Sequence, residues 1–485
     1  MNTLKKQVRD QFQMVCLSDH VEEDSMARII DEFVDEADLK KLGFQHHKNS
    51  TGRPSYPTDI MVKLFLYGYM NGIRTTRGLE KACKVNLELK WLLHGLSPKY
   101  RTIGNFRVNN LNAFNALFLR TIKLALKHKL ITGKTLAFDS FPIRASNSKK
   151  MNFKGKKLDF LKEHAQKKLD HYLDELVDNH ELNEDQQDEC RDKIEHYEAQ
   201  LIKYDGIQKE IDGSDSDQIS YTDPDCRILP SSDMGKFLGY RIQCGADAEN
   251  KIVCAFDVSN KNDAHSTATI AGQAKENIDS NGFDGLFDKG YFSGPQMAKL
   301  VDNNITPFIS EPSNKRTKVF SHSEFIYDRK KEHYTCPAGE TLTPTGPWRN
   351  KGNRQVRSFD NRKACKGCNI KEQCTTRTAG RMLVRYDNYD QVEDNRKMLA
   401  ENKGYYKQRS MIIEHIFGTI KRHWRIDHAL LRTKEKVRTE YAIAFTAYNL
   451  KRFSSIFKEI STYLSILLIG RSVEHHNLDQ FLFSK

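Results

Sequence analysis

The chain has 485 residues, too long for one ordinary core and long enough for two or three domains. Its composition, 38% hydrophobic and 29% charged, fits a soluble globular protein, and no run of about 18 apolar residues offers a membrane span. The formal charge is +13, an excess that favours an anionic partner, and nucleic acid is the commonest one. The opening MNTLKKQVRDQF lacks the apolar core of a secretory signal, so the expected compartment is the cytoplasm, in association with the nucleoid.

Residues 1–129 read as helical. A helix is expected around Met26 to Leu39, and GRPSYPTD then breaks the chain. Thr58 is read as the cap of an apolar helix from Asp59 to Met70, and a second helix is expected from Thr76 to Lys84. A third follows SPKYRT and extends to Lys129. Short helices joined by tight turns, with basic residues near their starts, suggest a helix-turn-helix-like DNA-binding unit. A small helical bundle packed on the next domain has equal weight.

From Leu130 the pattern changes. Thr135 to Phe138 is a short apolar run that reads as a buried strand ending at Asp139. Residues 155–212 then read as a helical hairpin insertion. Leu158, Leu161, Ala165, Leu169, Tyr172 and Leu176 recur at three and four, as do Cys190, Ile194, Tyr197, Leu201 and Tyr204. Asn183 and Gln186 fit a capping box for its second helix. Strands are expected at Gly239 to Asp247 and Lys251 to Asp257, then a helix from Ser266 to Asn277 and a strand, GLFD, ending at Asp288. The order implies an α/β fold, a mixed sheet flanked by helices.

Asp139 and Asp288 thus both close short apolar strands, where functional groups of sheet-based folds gather. Glu414 lies in MIIEHIFGTIKRHW, whose Ile412, Ile413, Ile416, Phe417 and Ile420 form the apolar face of a helix. Three such carboxylates can hold two divalent metals that activate a water or 3′-hydroxyl, Mg²⁺ being expected and Mn²⁺ able to substitute. Singly, each has a plainer reading: a turn or cap Asp, a solvated helix Glu. Between Lys403 and Arg452 there are 12 basic and 4 acidic residues, a segment that reads as a surface for phosphates.

Six of the ten cysteines (Cys16, Cys83, Cys190, Cys226, Cys244, Cys254) are scattered and read as core or bystander residues. The other four cluster, Cys336 in YTCPAGE and Cys365, Cys368 and Cys374 in KACKGCNIKEQC. Four thiolates with a C-x2-C pair suit a closed structural zinc site, and reduced free thiols are the alternative. The surrounding chain is polar and turn-rich and shows no core of its own, so a metal would supply stabilisation.

FDSFPIRA, FDKGYFSG and RSMIIEHIFGTIKR resemble the three catalytic segments of DDE insertion-sequence transposases with a ribonuclease-H-like fold. They are most similar to the subgroup with a cysteine-bearing insertion between the second Asp and the Glu. TDPDCRIL, GYRIQCGADAENKIVCAFDVSN, EKVRTEYAIAFTAYNLKRF, PSYPTDIMVKLFLYGYMNGIRTTRGLE and YRTIGNFR extend the likeness over roughly residues 50–455. The resemblance implies a catalytic domain over 130–455 with the cysteine-rich insertion at 313–400, followed by a tail, 456–485. It implies Asp139, Asp288 and Glu414 as catalytic magnesium ligands. It also implies that Tyr406, Arg409, Lys421, Arg422 and Lys289 lie along bound DNA. Arg409 stands five residues before Glu414 where four is the pattern, and Ser410 holds that place. The implied partners are double-stranded DNA, as element ends and as target, and a second copy of the chain on paired ends. A nuclease of the same fold and a non-enzymatic DNA-binding regulator are the rival readings.

Overall fold

The computed structural model describes residues 16–45, 54–178, 183–214, 216–231, 234–312, 319–352 and 354–459. The tail from residue 460 on, with the apolar stretch Tyr463 to Gly470, lies outside the described residues, as do 1–15. Among the described residues no helix is long and apolar enough to cross a membrane.

The N-terminal region is helical, as expected: Met26–Asp35, Thr58–Met70, Thr76–Val85, Leu87–Leu92, Tyr100–Asn109 and Leu111–Lys127. Two expectations shift. The helix read from Asp59 begins at Thr58 itself, with Pro57 in the cap position, where its fixed φ suits a helix entry. The single long helix after SPKYRT is two, broken at Asn110, whose side-chain Nδ2 donates to the Phe106 carbonyl and whose side-chain oxygen accepts from the Gln45 backbone amide.

The central sheet has six strands: β1 (Thr135–Arg144), β2 (Arg227–Ser231), β3 (Gly235–Asp247), β4 (Val253–Ser259), β5 (Phe283–Phe287) and β6 (Ile305–Ile309). Its order is β2-β3-β1-β5-β6, with β4 also pairing β3. β1, β3 and β4 form an antiparallel meander, whereas β5 is parallel to β1 and β6 to β5. Helices Thr267–Asn277 and Gly294–Asp302 make the two crossovers that parallel strands require. The mixed α/β class expected from sequence is the one found.

The C-terminal helix Lys434–Glu459 buries Tyr441, Ala442, Ile443, Ala444, Phe445 and Phe453 among its residues. It packs on β4 and on three N-terminal helices, Met26–Asp35, Thr58–Met70 and Leu111–Lys127, so helices and sheet share one apolar core. The hairpin insertion comprises Gly155–Asp178 and Glu184–Asp212, and the capping box of Asn183 and Gln186 is formed in both directions. Leu158, Ile207 and Ile211 of the two helices form a small core with Phe153 of the short strand Asn152–Lys154 that precedes them.

The cysteine-rich region departs from expectation. Six short strands between Ile326 and Tyr386 form a second sheet with its own core of Phe325, Tyr334, Leu342, Phe359, Cys374 and Leu383. Arg385 lies buried in it, 3.6 Å over the Tyr327 ring, bonded to the Tyr334 hydroxyl and to Asp390 and Glu393. The region thus has an apolar cluster that the sequence did not reveal, with Cys374 in it and Cys336 packed against it.

Candidate active site

Asp139 is not the last residue of its strand. The parallel ladder of β1 with β5 stops at Phe138 opposite Phe287, but the antiparallel ladder with β3 runs from Leu136 to Arg144. β1 is thus held on one side beyond Asp139 and loses its other neighbour there. Asp288 follows Phe287 directly, so the register sets the two aspartates side by side at the mouth of one parallel pair. That is where side chains leave an open sheet and remain accessible.

The chain orients both carboxylates from their own backbone. Asp139 Oδ1 accepts from the Ser140 amide at 2.7 Å, and Asp288 Oδ2 accepts from the Gly290 amide at 3.1 Å. A single guanidinium bridges their remaining oxygens. Arg409 Nη1 is 2.5 Å from Asp139 Oδ2 and its Nη2 is 3.2 Å from Asp288 Oδ1. Side-chain exposure is 25% for Asp139, 32% for Asp288 and only 14% for Arg409. Burial pushes the Asp139 carboxyl up to about 6, against the pull of Arg409 and with a further push from Asp288. Burial opposes the charge on Arg409, yet the two aspartates hold its pKa above the ordinary value.

Arg409 comes from helix Lys403–Phe417, which lies across β1 and passes into a π-helical turn, Gly418–His423. One helical turn before Arg409, the Tyr406 hydroxyl donates to the Phe287 carbonyl at 2.8 Å. One turn after it, Ile412 and Ile413 are buried. Lys421 Nζ stands 5.8 Å from the ring centre of Phe141, two residues along β1 from Asp139 and therefore on the same face. Arg422 and Lys289 are exposed, and Tyr406 is half-buried.

Glu414 is exposed. Five residues at 100° each place it about 140° around the helix from Arg409. Among the described residues no group of three or more His, Cys, Asp or Glu side chains is gathered closely enough to hold a metal. The structure thus joins Asp139, Asp288 and Arg409 and leaves Glu414 outside that cluster. The two aspartates, hard oxygen donors already sharing one cation between them, do fit a divalent ion.

A polar belt missed in the sequence underlies the pair. Asp263 accepts from Gln243 Nε2 at 2.8 Å and pairs with Arg241 Nη1 at 3.2 Å. Gln243 in turn accepts from the Tyr291 hydroxyl, in the turn that follows Asp288. A Cβ at Gly290 would meet Asp263 Oδ2 at 3.2 Å, so that this carboxylate would have to give slightly, and would touch Asp288 Oδ2 in ordinary contact at 3.5 Å. The signal was present: Arg241 and Gln243 are polar residues at period two in a strand otherwise buried on both faces.

The basic segment is less free than its composition suggested. Arg438 and Lys434 pair with Asp257 of β4 at 3.0 and 3.8 Å, Arg452 donates to the Asn250 carbonyl, and Arg409 is taken by the aspartates. The acidic partners come from the sheet, far away in sequence.

The four clustered cysteines line one apolar pocket together with Phe325, Leu342 and Ile370. Cys336 begins a tight turn in which its carbonyl accepts from the Gly339 amide at 2.8 Å, and the Cys368 carbonyl accepts from Lys371. Burial raises the Cys374 thiol, Arg381 opposes this, and the neighbouring Cys365, Cys336 and Cys368 add to the rise. The quartet converges on one place without closing into a ligand cluster.

Comparison with known proteins shows what two stretches of this α/β chain are similar to. Residues 15–109 match a family model described as a transposase domain (DUF772), and residues 335–454 match one described as a transposase DDE domain. Over these two stretches the chain is similar to transposases, the second stretch to those of the DDE type. The second match contains Glu414 and the cysteine quartet, and begins after both aspartates. No curated protein matches the sequence. A solved structure, the cryo-EM structure of a piggyBac transposase synaptic complex with hairpin DNA, is similar over 92% of this chain and 80% of that one. At 10% identity and a TM-score of 0.31 the superposition carries no argument.

Proposed function

We propose that the protein binds the ends of a mobile DNA element, cuts the donor strands by metal-dependent hydrolysis and joins the freed 3′ ends to target DNA. The bridging of Asp139 and Asp288 by one guanidinium carries this reading, because two carboxylates held that close to a common cation make a site for divalent ions. The order β4-β3-β1-β5-β6, three antiparallel strands and then two parallel ones, supports the ribonuclease-H-like assignment. Asp139 and Asp288 would hold magnesium, with Glu414 as third carboxylate on the strength of the segment resemblance. Such ions supply activation of a water or 3′-hydroxyl and stabilisation of the leaving oxygen.

Lys421 lies on the face of the sheet that bears Asp139, where it would draw a phosphodiester toward the aspartates. Arg422 and Lys289, both exposed, extend that contact. Homodimerisation is proposed because two element ends must be handled together. The deciding experiment incubates purified protein with the DNA flanking its own gene, with and without Mg²⁺. Magnesium-dependent nicks at the element boundary are expected, and pre-cut ends should be joined to a target plasmid. Cleavage without joining would leave a nuclease, and binding without cleavage a regulator.

A further inference from the structure

Arg409 is poorly placed for the role that resemblance implies. A DNA-contacting arginine should reach outward, whereas this one is largely enclosed and spends both ends of its guanidinium on carboxylates, at 2.5 Å and 3.2 Å. It occupies the space between Asp139 and Asp288. The spacing of five residues to Glu414 turns Arg409 toward the sheet while Glu414 faces out, a consequence of 3.6 residues per turn. The charged and polar groups facing it come from two elements. β1 contributes Asp139 with the Ser140 amide, and the turn after β5 contributes Asp288 with the Gly290 amide. Asp263, in the polar belt beneath the pair, is already paired with Arg241.

We propose that Arg409 is the exchangeable counter-ion of the aspartate pair. In the DNA-free protein it neutralises Asp139 and Asp288, and it is released to a DNA phosphate when a divalent cation takes its place. This rests on the proposed metal site. The planar fork of a guanidinium fits a carboxylate pair and a phosphodiester equally well, so one side chain can serve both. The exchange needs only rotation about the side-chain bonds, because the Tyr406–Phe287 bond and the buried Ile412 and Ile413 fix the helix on either side. Metal and DNA then bind cooperatively. Each relieves a cost that the other would otherwise bear, and the coupling is reciprocal.

The test measures Mn²⁺ binding to the full-length protein at pH 8 by electron paramagnetic resonance, with and without a saturating duplex of unrelated sequence. Without DNA, Arg409→Gln should bind Mn²⁺ about tenfold more tightly than the wild type, the worth of ~1.4 kcal/mol. DNA should tighten wild-type Mn²⁺ binding by about fivefold or more and leave the affinity of Arg409→Gln unchanged. Equal or weaker Mn²⁺ binding by Arg409→Gln overturns the proposal. Should circular dichroism show that variant unfolded, Arg409→Lys replaces it. Lysine keeps the charge but lacks the planar fork that meets the two carboxylates with separate nitrogens, so a smaller gain in affinity is expected, and no gain overturns the proposal. Asp139→Asn separates the two layers. If it leaves Mn²⁺ binding intact, the metal site itself is misplaced. If it abolishes binding while Arg409→Gln behaves as wild type, the counter-ion role alone fails.

Discussion

Asp139 and Asp288 are presented by a sheet that lies in the main core, whereas Cys336, Cys365, Cys368 and Cys374 come from turns and short helices around a small, separate sheet. In the first region the chain carries its own cation, Arg409, between the donors. In the second, the thiols face an apolar pocket, with Arg381 bonded to the Cys374 carbonyl beside them. The contrast separates two ways of building a metal site. Carboxylates near water keep their charge and need a counter-ion at all times. Thiols can wait protonated, so their pocket can stay apolar until a soft metal ionises them.

The largest expected effect lies in the first region. Asp139→Asn and Asp288→Asn should each lower magnesium-dependent cleavage by roughly three orders of magnitude or more, since an amide keeps the shape and loses the charge. Filter binding should show DNA affinity nearly unchanged. Glu414→Gln sharpens the comparison, because its residue stands outside the arginine-bridged pair. A normal cleavage rate in that variant removes Glu414 from the site.

The aspartate site was legible because two apolar runs each end in a carboxylate, and strand pairing then places them together. What the sequence concealed is long-range. Arg409, Arg438 and Lys434 read as a free basic surface because their acidic partners, Asp139, Asp288 and Asp257, lie more than a hundred residues away. The core of the cysteine-rich sheet was invisible for another reason. Tyr334, Leu342, Phe359 and Leu383 sit on four different strands, most of them too short to show alternation. Strand β1 was read too short because Asp139, Ser140 and Pro142 interrupt its apolar pattern, yet pairing with β3 carries it on to Arg144.

In the second region, elemental analysis of protein prepared without added zinc or chelator should find about one zinc per chain. Cys368→Ser should remove it and raise the protease sensitivity of residues 319–386. Because that region has its own aromatic core, the variant should loosen the small sheet without unfolding the chain. Active protein with almost no zinc would leave four ordinary thiols.

His322 offers a milder probe of the same sheet. Its ring lies 4.6 Å from that of Tyr389 and 5.3 Å from that of Tyr334, and both of its nitrogens are buried without a hydrogen-bond partner. Burial pulls its pKa down to about 4, helped by Arg396, Arg381 and Arg385. A histidine depressed in the folded state contributes stability above its ordinary pKa, 6.5, and loses it as the pH falls through about 4. Proteolysis within 319–386 should therefore rise between pH 6.5 and 4, and His322→Phe, which cannot be protonated, should flatten that rise. An unchanged pH profile in the variant would assign the acid sensitivity to other groups.

The smallest effect is expected at Lys421, on the face of β1 that carries Asp139. Its ammonium stands over Phe141 and its backbone lies in the π-helical turn, and among the described residues it has no ion-pair partner. A lone cation so placed contributes by displacing counterions from the phosphate backbone, an effect blind to base sequence. Lys421→Ala should weaken binding to element ends and to unrelated duplex DNA by similar factors, about three- to tenfold at low salt. It should also reduce the slope of log affinity against log salt by about one. Fluorescence anisotropy titrations at several salt concentrations measure both quantities. A loss confined to element ends would show Lys421 reading bases, and a loss with no change in slope would place its effect in the fold of the turn instead of in phosphate contact.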